Sequence, residues 1–153
     1  MKKTHLAAAA AAVVLAVWVV VPAPSRADAP SGRYAFPTSG TVLDTKTGLV
    51  WQRKSGTPAS QATAASTCFN NPMALTGTGW RVPTVKELLT LLDLSRSNGL
   101  DSAAFPSEPA GPYWSATTTS VAGDFAWIVN FPPSNVTHET AQTTEAHLIR
   151  CVR

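Results

Sequence analysis

Trp80-Arg81-Val82-Pro83-Thr84-Val85-Lys86-Glu87-Leu88-Leu89-Thr90-Leu91-Leu92 runs from an extended segment into a capped, amphipathic helix. Pro83 biases Val82 away from the α region, so the helix starts after it. Thr84 is a good N-cap, and Glu87, three residues on, completes a capping box. Val85, Leu88, Leu89 and Leu92 follow at i, i+3, i+4 and i+7, with Leu91 beside them. Burying such side chains is worth about 1.5–3 kcal/mol each. This is the expected core helix, ending near Asp93–Leu94.

Outward from it, the N-terminus reads as an address. Lys2 and Lys3 precede an Ala/Val-rich apolar run, and Ser25-Arg26-Ala27 supplies small residues for a peptidase. Residues 1–27 are therefore expected to be a cleaved secretory signal peptide; the competing reading is an uncleaved membrane anchor. The leader contributes three of the 12 basic residues and none of the 9 acidic ones, so the mature chain is close to neutral. A generic nucleic-acid binder keeps a basic excess, so nucleic acid is not an expected partner. The expected location is secreted or periplasmic, with membrane contact only through an uncleaved leader.

The mature chain is long enough for one core and poor in charge, with Trp51, Trp80, Trp114 and Trp127 spread along it. Its two cysteines, Cys68 and Cys151, lack the spacing of a reactive thiol pair. In an oxidising compartment they are expected to form a disulfide. The chain-entropy model gives about 4–5 kcal/mol for closing a loop of about 80 residues.

In chain order, residues 28–40 form a flexible Pro/Ser/Gly-rich lead-in, with Tyr34-Ala35-Phe36 as a candidate edge strand. Thr41-Val42-Leu43-Asp44 and Leu49-Val50-Trp51-Gln52 read as a hairpin turning at Gly48. Ser60 to Cys68 reads as a short Ala-rich helix. Ser95 to Pro112 is a long irregular stretch, the kind that is usually functional or tied down by contacts. Tyr113-Trp114-Ser115 resumes as strand. Phe125 to Phe131 follows as the best strand, with Phe125, Trp127, Val129 and Phe131 on one face. A weaker strand near Thr137–Thr143 and a closing strand from Leu148 to Val152 complete an α+β domain. It has two helices and a twisted, mostly antiparallel sheet.

Five motifs, taken in order, carry a family resemblance. Asp44-Thr45-Lys46-Thr47-Gly48-Leu49-Val50-Trp51 is similar to the opening D-x-x-T-G-L-x-W of the DUF1566, or Lcl C-terminal domain, family, named after a collagen-like adhesin. Trp80-Arg81-Val82-Pro83-Thr84 with Glu87-Leu88 resembles its W-R-L-P-T-x-x-E-L signature. Tyr113-Trp114-Ser115-Ala116-Thr117, Trp127-Ile128-Val129-Asn130-Phe131 and Arg150-Cys151-Val152-Arg153 resemble its later motifs. The resemblance covers roughly residues 40–153, places the domain at 41–153, and makes Trp51, Trp80, Arg81, Pro83, Glu87, Trp114 and Trp127 the fold signature. It implies a C-type lectin-like fold, in which a disulfide joins the first helix to the last strand, where Cys68 and Cys151 stand. It also implies an exported module that binds a glycan or another cell-surface ligand. With the last motif at the terminus, no second domain is expected to follow.

The oxygen ligands of the lectin calcium site are missing: Ala110 follows Glu108-Pro109, and Ile128-Val129 follow Trp127. No metal or cofactor is expected. Ligand contacts are expected from the long stretch through Asn98, Asp101, Glu108 and Tyr113. The tryptophans are expected in the core, Arg81 on a carboxylate, and Glu87 as a cap. His138 and His147 are expected at the surface. The alternative to ligand binding is a structural or protein-interaction module of the envelope. Formylglycine-generating enzymes share a similar helix start, but neither cysteine stands where a reactive thiol is expected and no catalytic triad can be assigned, so an enzyme is the least favoured reading.

Overall fold

The computed structural model describes residues 30–71, 73–120, 124–131 and 137–153; the leader over residues 1–27 lies outside these. Strands β1 (Tyr34–Thr38), β2 (Thr41–Asp44) and β3 (Val50–Gln52) form an antiparallel three-stranded sheet. The expected hairpin is β2–β3, with Val42 opposite Trp51. Gly48 turns it at φ +74°, a conformation glycine adopts at little cost, and its N–H donates to the Asp44 carbonyl.

Strand β4 (Gly56–Ala59) leads into helix α1 (Gln61–Asn70), which Ser60 caps by accepting from the Thr63 N–H. Asn71 ends α1 in the left-handed region. Helix α2 (Val85–Thr90) carries the capping box between Thr84 and Glu87. It is shorter than its apolar pattern suggests. The Leu91 and Leu92 N–H groups bond three residues back, and the Asp93 N–H turns to the Gly99 carbonyl. Arg33 donates to the Thr90 carbonyl, which satisfies an orphan acceptor at the helix end.

The second sheet runs β4-β8-β5-β6-β7, with β5 (Gly111–Thr118), β6 (Phe125–Phe131), β7 (Thr137–Gln142) and β8 (His147–Ile149). All of its pairings are antiparallel except β5 with β8. Side chains alternate across β5 and β6. Tyr113, Val129 and Phe131 join Leu88 of α2 and Leu91, just past its end, in one core cluster. Trp114, Ala126 and Ile128 join Ala64 and Cys68 of α1 in the other.

Two buried faces explain why the expected alternation in β6 fails. Ala126 and Ile128 are buried along with Val129 and Phe131, while Phe125 and Trp127 are only half-buried. Trp127 is thus not core, unlike Trp51, Trp80 and Trp114.

The disulfide joins Cys68 of α1 to Cys151, just past β8. Beyond it the terminus threads between the two halves of the domain. Val152 exchanges both backbone hydrogen bonds with Arg81, and Arg153 exchanges both with Val50. The Arg81 and Trp51 motifs are therefore brought together by the closing motif, through a bridge of Val152 to each. No helix among the described residues is long and apolar enough to cross a membrane.

Candidate binding surface

The irregular segment between α2 and β5 is held from beneath. Asp93 accepts from the Ser95 N–H and hydroxyl at 3.0 and 2.6 Å, and Asn98 accepts from the Leu100 N–H. Asp101 accepts from the Ala103 and Ala104 N–H groups at 2.9 Å each, and its carbonyl takes the Phe105 N–H. This short turn drives Leu100, Ala104 and Phe105 into the α2 core cluster. Arg53 adds hydrogen bonds to the Ala103 and Ala104 carbonyls from outside.

Four residues were expected to meet ligand. Two of them face inward. Tyr113 is fully buried and packs edge-on against Phe131, and burial pushes its phenol up. Its hydroxyl donates to Glu108 at 3.0 Å. Glu108 also accepts from the Ser55 N–H and lies 2.6 Å from the Arg150 guanidinium. Arg150 in turn donates to the Gln52 carbonyl and sits between the rings of Phe105 and Tyr113. Ser55, Glu108, Tyr113 and Arg150 thus form a buried polar knot beneath the loop, so Glu108 and Tyr113 support the surface without belonging to it. Asn98 and Asp101 remain partly accessible on the outer side, next to exposed Ser97 and Ser102.

Arg81 and Glu87 pair with both guanidinium nitrogens engaged, at 2.8 and 2.7 Å. That pair holds the Glu87 carboxyl down at about 2; burial opposes the shift and Thr84 adds to it. Arg33 and Asp44 make a second clasp, at 2.9 Å. Burial alone would raise the Asp44 carboxyl, but the Arg33 hydrogen bond and the Lys46 N–H bring it below its ordinary value. Tyr34 is pushed up to about 12 by burial. His147 is not the free surface residue expected: its ring packs edge-on against Trp114, and Nε2 lies 3.3 Å from Glu145. The side chain of His138 lies outside the described residues.

Concavities open on the surface formed by the described residues, three of them near the elements above. One of about 510 Å³ lies between α1 and the start of α2, lined by Phe69, Trp80, Arg81, Thr84 and Ala116 among others. Phe69 is 82% exposed there. A second, of about 230 Å³, is closed on one side by Pro106, and a third, of about 270 Å³, by Pro109, Ala110 and Pro112. The last two flank the position where Glu108 turns inward to Ser55. Sequence reasoning missed all three, along with the part played by Arg150. The available signals were a lone aromatic, Phe69, in an Ala/Thr helix and an arginine inside an otherwise apolar closing strand.

Among curated proteins, none matches the chain. The family model of the Lcl C-terminal domain matches residues 40–153, from the first hairpin strand to the terminus. The five motifs that meet in this architecture are thus those of a known family: the chain belongs to the Lcl C-terminal domain family.

Proposed function

We propose that the protein is an exported, C-type lectin-like module that acts by binding a glycan or another cell-surface ligand, with the outer side of residues 95–110 as its contact surface. One observation carries this reading: a long segment without regular structure is immobilised from below by the Glu108–Arg150 pair and by Leu100 and Phe105. A loop ordered before it meets its ligand loses less entropy on binding, which raises affinity without adding contacts. Asn98, Asp101, Ser102 and Ser107 offer polar groups on that side.

Export is supported by the Cys68–Cys151 disulfide, which persists in oxidising compartments. Binding in preference to formylglycine-type catalysis is supported by the same bond, because both cysteines of the chain are in it. A glycan array and a cell-surface pull-down with the mature domain test the reading. Retention of a ligand that is lost when the exposed Ser97 and Ser102 are both replaced by lysine, with the melting temperature unchanged, supports it. A ligand retained equally by this variant assigns binding to another face.

A further inference from the structure

The concavity beside Pro106 differs from the other two in its charge. Its lining combines Met73, Leu75 and Pro106 with the consecutive cations Arg53 and Lys54, and with Gln52, Ser39 and Gly40. Among the described residues neither cation has a carboxylate partner; the ion-paired carboxylates Asp44, Glu87, Asp93, Glu108 and Glu145 are matched to Arg33, Arg81, Arg96, Arg150 and His147. Arg53 is nevertheless fixed in place. It donates to two loop carbonyls, and its guanidinium lies 5.1 Å from the centre of the Phe36 ring. Met73 and Phe36, at 44% and 49% exposure, are among the few large apolar side chains left open to solvent.

We propose that this notch docks an acidic segment of a protein partner, seating one apolar side chain against Met73, Leu75 and Pro106 while Arg53 and Lys54 meet carboxylates on either side of it. The volume of about 230 Å³ suits a single branched side chain. Among the described residues no aromatic ring lines the notch itself, the neighbouring Phe36 ring has the Arg53 guanidinium over it, and two of the apolar walls, Met73 and Leu75, are flexible aliphatic side chains, which favours a peptide over a saccharide. Unpaired surface cations steer an acidic partner and fix its register. The inference rests on the reading that the domain acts by binding, but it uses a different patch from the outer side of the loop.

The test uses the mature domain and a fluorescent, N-acetylated peptide with one leucine flanked by glutamates. Two control peptides carry serine for the leucine or lysines for the glutamates. Anisotropy is expected to show saturable binding of the first peptide, weakened about tenfold or more in each control and in Lys54→Glu. Met73→Ser is expected to weaken it as well; the melting temperature of Lys54→Glu is expected to stay unchanged, whereas Met73→Ser also removes the acceptor of the buried Gln52 amide and lowers it. Equal binding of the serine control, indifference to Lys54→Glu, or no saturation overturns the proposal. So does a polyanionic polysaccharide that binds in a Lys54-dependent way where the peptide does not. Retention of an array ligand by Lys54→Glu separates failure of this notch from failure of the loop surface.

Discussion

Arg150, next to the C-terminal cysteine, meets Glu108, in the middle of the irregular segment, at 2.6 Å with both side chains sealed from solvent. A buried pair of this kind is costly to desolvate, and its net contribution to stability is small compared with the cost of breaking it. What it does here is tie the closing strand, the loop and, through the carbonyls of Gln52 and Arg53, the end of the first sheet.

Removing one member should therefore be worse than replacing both. Glu108→Ala is expected to cost about 3–5 kcal/mol by leaving a buried guanidinium unpaired. Glu108→Leu combined with Arg150→Met should recover only part of that loss, because the Ser55 N–H and the Gln52 carbonyl then lose their partners. Urea denaturation of the single and double variants measures both.

The disulfide makes a second, independent contribution. Its partners are 83 residues apart in sequence, and the bond links α1 to the terminus. Cys68→Ala with Cys151→Ala is expected to cost about 4–5 kcal/mol by the chain-entropy model. The same denaturation midpoint reads it out. A loss under about 1 kcal/mol would mean that the unfolded chain is already compact at that link.

The Arg81–Glu87 pair gives a pH signature. The Glu87 carboxyl is held down at about 2 in the folded protein, against an ordinary glutamate near 4.3 in the unfolded chain. The pair's contribution is thus complete above the unfolded value and is lost as pH falls toward 2. Because Arg81 is half-exposed, solvent screening keeps the effect near 1 kcal/mol. Melting temperature should decline between about pH 5 and pH 2 in the native protein. Glu87→Gln should lower it at neutral pH and flatten that part of the profile.

Much of this architecture can be read in local pattern. The capping box at Thr84, the β2–β3 hairpin and its Gly48 turn, the strand from Phe125 to Phe131, and the Cys68–Cys151 bridge all follow from turn chemistry, periodicity or cysteine count. What local pattern does not carry is which face a residue takes when both faces are covered. Ile128 disturbs the alternation of β6 because helices lie on either side of the sheet, while Trp127 belongs to neither core cluster and stays half-buried. The loop was a harder case. Polar residues in an irregular stretch look available to a ligand, and only the long-range partner Arg150 shows that Glu108 points inward. The end of α2 likewise meets Arg33, distant in sequence from its last turn, and Gly99, which lies in the irregular segment just beyond it.

Amide hydrogen exchange across residues 95–110 tests most directly whether this loop is a pre-ordered platform. The Ala103, Ala104 and Phe105 N–H groups, bonded to Asp101, are expected to exchange slowly, within about tenfold of the amides of β5 and β6, and to lose that protection in Glu108→Ala. Exchange of these amides at the rate of an unstructured peptide in the native protein would contradict it.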